Sequence, residues 1–260
     1  MLGAIIGDII GSVYEKSGMK KPDFPLFDTD CRFTDDTVMT LAIADALLHK
    51  RIFRNNIRTF GLNYPNRGYG GMFREWLQTE NAKPYNSFGN GSAMRVSPVG
   101  FACKEMEEVL DLALKSAEPT HNHPEGIKGA QAVAAGIFLA RQGKSKEEIR
   151  THIEDTFGYN LHRTVEEIRP GYQFDVTCQG SVPESIIAFL DSEDVESAIR
   201  LAVSLGGDAD TMAAIAGALA QAYYKKIPLD FIYRTSQILT PPLWKIVVSF
   251  NKKYQISTSK

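Results

Sequence analysis

The sequence is short of cysteine, of net charge, of long apolar runs and of residues alternating between apolar and polar. Each scarcity removes a class of protein. The three cysteines, Cys31, Cys103 and Cys178, are widely spaced and odd in number, so they suggest neither a disulfide framework nor a CxxC metal knuckle. Reduced thiols in a cytoplasmic protein are the expectation. Lys plus Arg number 29 against 31 Asp plus Glu, a net charge of −2, which argues against general nucleic-acid binding and against a polybasic membrane surface. The most apolar segment, MLGAIIGDIIGSVYE, falls short of the roughly 20 residues that a membrane span needs. It carries Asp8 in its middle and lacks the basic start of a signal peptide. It reads as a buried helix, and no membrane association is expected. Clean alternation bounded by hairpin turns is missing, so no sheet is expected.

What the sequence does have is helical spacing. Apolar residues recur every three or four positions over residues 36–50, 109–117, 126–142, 146–157, 181–190, 195–205, 211–224, 229–239 and 243–254. Short connections at 191–194 and 225–228 suit antiparallel neighbours in a compact bundle. No Pro/Ser/Gly-rich linker divides the chain, so one all-α domain over residues 1–260 is expected; the sequence does not set the oligomeric state, and a monomer is favoured. Segments 2–14, 37–48 and 212–223 are apolar or small nearly all round, which places them centrally. Gly3, Gly7 and Gly11 recur on one face of the first. Each costs a helix about 1 kcal/mol relative to Ala. Either close helix–helix approach or room for a ligand would offset that cost.

Polar residues concentrate at the starts of two central helices. Phe33-Thr34-Asp35-Asp36-Thr37 precedes one, and Gly206-Gly207-Asp208-Ala209-Asp210-Thr211 precedes the other. Capping explains one or two such side chains per helix, but not three or four. If the two starts meet, Asp35, Asp36, Asp208 and Asp210 share one site. At about 5 Å and an effective dielectric near 20, each like-charge pair costs roughly 3 kcal/mol. Six pairs would exceed the usual stability of about 5–15 kcal/mol. The site must protonate, stay apart or hold cations. Oxygen ligands without nearby His or Cys suit Mg²⁺ or Mn²⁺, and two ions would balance four carboxylates. Glu15 is placed to close such a site from a third direction.

Ser87-Phe88-Gly89-Asn90-Gly91-Ser92-Ala93-Met94-Arg95 is a Gly-rich loop entering a helix or turn, and its free N–H groups suit phosphate. It lacks the third glycine of a dinucleotide fingerprint and the lysine of a P-loop. Asn66-Arg67-Gly68-Tyr69-Gly70-Gly71 reads as a mobile cover. His121 and His123 have no third ligand at helical spacing, so a helix-entry segment that orients a ligand or loop fits better than zinc.

These residues carry a resemblance. GAIIGDIIGSVYE, FTDDTVMTLAIADALL, RGYGG, GNGSAMRVSPVG, THNHPEGIKGA, SVPESIIAFL and GGDADTMAAIAGALAQAYY stand in the order found in the ADP-ribosylglycohydrolase family, from residue 3 to about residue 228. The resemblance implies an all-α orthogonal bundle with a binuclear Mg²⁺ or Mn²⁺ centre at the bottom of an ADP-ribose cleft. It implies Thr34, Asp35, Asp36, Asp208, Asp210 and Thr211 as metal ligands, with Glu15 approaching the metals or gating the cleft. It implies Gly89, Asn90, Gly91, Ser92 and Met94 along the ribose–phosphate region, with His121 near. The expected reaction is hydrolysis at the anomeric carbon of an ADP-ribosyl group, with Asp35 or Asp36 as general base. The partner would be an ADP-ribosylated protein or a small ADP-ribose conjugate. Cleft-rim discrimination is expected from Glu15, residues 64–73 and Tyr172. Gln221 and Lys225 depart from the family's glycines and put helix packing in question.

Two other readings compete. An Mg²⁺-dependent diphosphate enzyme of isoprenoid-synthase type also uses Asp clusters on helices, but its DDxxD spacing fails at Met39. A non-catalytic binding or structural member of the family would be marked by lost ligands, and all six are present.

Overall fold

The structure is a computed structural model that describes residues 1–257. Among the described residues the helices are α1 (Leu2–Gly11), α2 (Asp35–His49), α3 (Phe53–Asn63), α4 (Gly71–Gln78), α5 (Gly91–Met94), α6 (Ser97–Ala102), α7 (Met106–Ala117) and α8 (Pro124–Arg141). They continue with α9 (Lys146–Phe157), α10 (Val165–Ile168), α11 (Cys178–Leu190), α12 (Val195–Val203), α13 (Ala209–Tyr224), α14 (Leu229–Ile238) and α15 (Pro241–Lys253). The only β-type pairing among the described residues is an isolated antiparallel bridge between Gly89 and Thr177. No helix among them is long and apolar enough to cross a membrane.

The expected all-α bundle is what forms, and the periodic segments lie close to their expected ends. Residues 53–63, 71–78, 97–102 and 165–168, which lie outside the segments of regular apolar spacing, are helical as well. The first of these, FRNNIRTFGLN, is polar and holds a glycine, and no side chain caps its start. α4 starts on the glycine pair that made residues 64–73 look like loop throughout. The first helix stops at Gly11 rather than near residue 14, so Tyr14 and Glu15 lie in the turn that follows.

α13 is the central rod, packed against α1, α12, α11 and α8, and it is buried from Ala209 to Ala222. α1 lies along it through the glycine stripe. A Cβ at Gly3 would overlap the Gly217 carbonyl, one at Gly7 the Ala213 carbonyl, and one at Gly11 the Asp210 backbone. Close approach, rather than room for a ligand, is therefore the reason for these glycines. Gln221 completes the contact. Its Oε1 accepts from the Met1 ammonium at 2.9 Å and from Gly3 N–H at 2.7 Å, satisfying donors that α1 cannot satisfy itself. The departure from glycine at this position therefore ties two helices together.

Gly7→Ala must force α1 away from α13 along a backbone-to-backbone contact. Overpacking usually costs about 1–3 kcal/mol, and a clash with rigid carbonyls belongs at the upper end or beyond. Urea unfolding should show a loss of about 3 kcal/mol. An unchanged midpoint would mean that the two helices are not held this closely.

Candidate active site

The stripe sets the geometry of the site, because Gly11 seats the end of α1 against Asp210 at the start of α13. α2 begins beside them. Its N-cap Thr34 accepts from Asp36 N–H at 3.2 Å, an ordinary cap. The rest of the arrangement exceeds capping. Asp8, fully buried in α1, accepts from Thr34 Oγ1 at 2.6 Å, Thr34 N–H at 3.0 Å, Thr37 N–H at 3.1 Å and the Thr37 hydroxyl. One carboxylate thereby holds the whole entry of α2. Sequence reasoning missed this role for Asp8. The signal was a lone acid in a helix otherwise without polar side chains, which must find partners when buried.

The two helix starts do meet. Thr211 Oγ1 donates to Asp36 Oδ2 at 3.2 Å, across 175 positions of sequence. Carboxylate oxygens of Asp8, Asp36 and Asp210 lie within 4.8 Å of one another. Asn90 Nδ2 donates to Asp208 Oδ2 at 2.7 Å and so joins the Gly-rich loop to the acids. Asp36 Oδ1 is buried and has no hydrogen-bond partner.

The electrostatic consequence is strong. Burial first, and Asp210 second, raise the Asp8 carboxyl to about 7. The same two causes hold Asp35, Asp36 and Asp208 well above the carboxylate range. Glu15, less deeply placed, is also raised by burial and then by Asp210. These oxygens, with the hydroxyls of Thr34 and Thr211, form a hard donor set suited to Mg²⁺ or Mn²⁺. The unpartnered Asp36 oxygen is the observation that a cation would satisfy.

A cavity of about 410 Å³ opens from this cluster. Glu15, Thr34, Asp35, Asp36, Asp208, Asp210 and Thr211 line it together with Gly89, Asn90, Gly91, Met94 and His121. Ser92 does not: its hydroxyl donates to the Gly126 carbonyl at 2.6 Å and pins α5 to α8. Tyr172 also turns away from the cavity, donating to the Gly180 carbonyl at 2.7 Å. His123 caps α8 by accepting from Glu125 N–H at 3.1 Å, which accounts for it without zinc. The loop expected to act as a cover lies on the cavity wall, where the Arg67 carbonyl accepts from Asp35 N–H at 2.7 Å. Gly68 there has a φ of +102°, and a Cβ would sit 2.9 Å from Asp35 Oδ1, so glycine fits on both counts. Tyr85, Arg95, Phe174 and Val176 also line the cavity and carried no distinct signal of their own.

Comparison with known proteins agrees with this architecture. The family profile described as ADP-ribosylglycohydrolase matches residues 1–251. The chain belongs to the ADP-ribosylglycohydrolase family. Membership makes it a hydrolase of the ADP-ribosyl type. Among curated relatives, ADP-ribosylhydrolase ARH3 of Gallus gallus is 27% identical, covering 86% of this chain and 84% of the relative. The ADP-ribosylarginine hydrolase Tri1 of Pseudomonas putida is also 27% identical, over 86% of this chain and 69% of its own length. A solved structure titled ADP-ribosylglycohydrolase-related protein complex superposes with a TM-score of 0.70 at 26% identity, covering 99% of this chain and 97% of its own.

Proposed function

We propose that this family member is a metal-dependent hydrolase that releases ADP-ribose from a modified acceptor by cleaving the bond at the anomeric carbon. The observation that carries this reading is the meeting of two acidic helix starts beside a Gly-rich loop in one cavity. Thr34, Asp35, Asp36, Asp208, Asp210 and Thr211 would hold two Mg²⁺ or Mn²⁺ ions. Bound there, the cations would balance the buried carboxylates and polarise oxygen atoms of the ribose and of water.

The remaining roles fall to the chain itself. The turn at Gly89–Gly91 would present backbone N–H groups to the diphosphate. Asn90, bridged to Asp208, would hold that turn in register with the acids. One of Asp35 and Asp36 would take a proton from the water that attacks the anomeric carbon. The bond from that carbon to the acceptor breaks, and the acceptor atom leaves with its electron pair and needs a proton. Glu15, whose carboxyl is raised in pKa and lines the cavity, would supply it. The acceptor is a protein side chain or a small ADP-ribose conjugate, and the three buried free thiols suit the cytoplasm.

Hydrolysis across ADP-ribosyl-arginine, ADP-ribosyl-serine and O-acetyl-ADP-ribose tests the proposal. Release of ADP-ribose from at least one, dependent on Mg²⁺ or Mn²⁺, is the expected result. Tight binding of ADP-ribose with no turnover of any conjugate would favour a non-catalytic binding role.

A further inference from the structure

Lys20 lies in the irregular segment between α1 and α2, five positions after Glu15, and is exposed overall. Its ammonium is nevertheless fully engaged. Nζ donates to the Arg169 carbonyl at 3.0 Å, to the Tyr172 carbonyl at 2.6 Å and to the Leu205 carbonyl. An ammonium has three protons and no acceptor, so these three carbonyls saturate it. No carboxylate pairs with it among the described residues.

Capping is the ordinary reason for such contacts, since a lysine can satisfy carbonyls that a helix leaves free at its C-terminus. Arg169 directly follows α10, and Leu205 lies just past α12. Capping leaves the choice of carbonyls unexplained. They come from two helix ends distant in sequence, the cation comes from a third segment, and all three segments run into the cavity. Lys20 follows the Glu15 turn. The stretch after Arg169 leads to Phe174 and Val176, and Leu205 leads through Gly206-Gly207 to Asp208.

The glycine pair shows how closely these segments approach. Gly206 has a φ of +70°, and a Cβ there would lie 2.8 Å from the Met19 carbonyl oxygen and 2.9 Å from Lys20 Cε. A Cβ on Gly207 would overlap the Tyr172 ring. The two residues before Asp208 are thus packed against Lys20 and against Tyr172, whose carbonyl Lys20 holds. Neither glycine is needed to ligate anything; both are needed to let the segments close on one another.

We propose that Lys20 is a positioning residue whose single ammonium clasps the Glu15 turn, the segment leading to Phe174 and the start of α13, and so fixes Asp208 opposite Glu15 across the cavity. Its consequence for activity rests on the reading of Asp208 as a cation ligand, whereas the clasp itself does not.

The test begins with backbone amide exchange on the full chain, which needs neither metal nor turnover. Lys20→Met keeps an extended side chain and removes the ammonium. Exchange at residues 14–18, 171–173 and 206–209 should rise together by about 10-fold, with the interiors of α2 and α8 unchanged. A rise confined to residues 18–21 would overturn the proposal, whatever the chain hydrolyses. The Kd for Mn²⁺, read by electron paramagnetic resonance, should rise about 10-fold, as when a residue behind a metal ligand is lost. On a conjugate that is turned over at saturating Mn²⁺, kcat should fall about 10-fold through misplacement of the site. KM should stay within about twofold, because Lys20 is not among the residues lining the cavity. A lysine that only caps would lower Tm and leave Mn²⁺ affinity and kcat per folded molecule unchanged, which would contradict the assignment. Lys20→Cys should show the same losses, and alkylation with 2-bromoethylamine, which restores an ammonium at the length of lysine, should reverse them. The three native cysteines are buried, so wild type treated alike is the control. If wild type neither binds Mn²⁺ nor turns over a conjugate, the ADP-ribosyl reading fails and the exchange pattern alone decides the clasp. Should Lys20→Met fail to fold, Lys20→Gln, which keeps a donor, carries the same comparison.

Discussion

Asp36→Asn should abolish hydrolysis and, in metal-free buffer at pH 8, make the protein more stable. Both effects follow from the position of Asp36. It is buried among Asp210, Asp8, Asp35 and Asp208, all of which raise its pKa beyond the effect of desolvation alone. One of its oxygens accepts from Thr211 and the other has no partner. Asn keeps the shape and can still accept from Thr211, but it contributes no charge. A like-charge pair at about 5 Å and an effective dielectric near 20 costs roughly 3 kcal/mol, so relieving several partly protonated pairs should add about 2 kcal/mol in urea unfolding. Loss of a general base alone costs about 10²–10⁴ in rate. Loss of a cation ligand as well puts the expected fall at 10³-fold or more. A purely structural carboxylate would behave in the opposite way, with activity per folded molecule kept and stability lost.

The second large effect couples metal, pH and stability. Asp8 is raised to about 7, and Asp35, Asp36 and Asp208 well above the ordinary carboxylate range, by burial and by Asp210. A carboxyl whose folded pKa lies above its unfolded value of about 4 binds more protons in the folded state between those values. The stability that these carboxyls contribute to the metal-free protein is therefore fully present below about pH 4 and is lost as pH rises through about 7. Other carboxylates set the acid limit, so the decline should be read from pH 5 upward. Cations bind the deprotonated site, so their affinity rises over the same range. A ligand at 100 times its Kd adds about 2.7 kcal/mol, which for a chain of this length is roughly 5–10 °C in Tm. Differential scanning fluorimetry should show Mg²⁺ or Mn²⁺ raising Tm by that amount at pH 8 and by little at pH 5. Equal shifts at both values would mean that the cations bind elsewhere.

The helices with regular apolar spacing were legible because each buries a defined face. Lys146–Phe157, with its Ser145 capping box and Gly158 terminus, carries start and stop signals within the chain itself. α4 and α3 were not legible, because their glycines and polar residues read as loop until tertiary packing buries Phe73, Trp76 and Ile57. The acidic helix starts stood out because their side chains exceed what capping needs. Asp8 was hidden for the opposite reason, as a single acid whose four donors come from a helix more than twenty positions away. Ser92 shows the limit of motif reasoning. It sits inside GNGSAM, yet its hydroxyl turns to Gly126, a contact that no local spacing encodes.

The central claim is that this acidic pocket works with divalent cations to release ADP-ribose. The most direct test follows ADP-ribose released from ADP-ribosylated peptide by metal-stripped protein as Mg²⁺ or Mn²⁺ is returned. The account predicts no release before addition, recovery that saturates with added cation, and no recovery in Asp36→Asn. Full release by the stripped protein, or by Asp36→Asn, would contradict it.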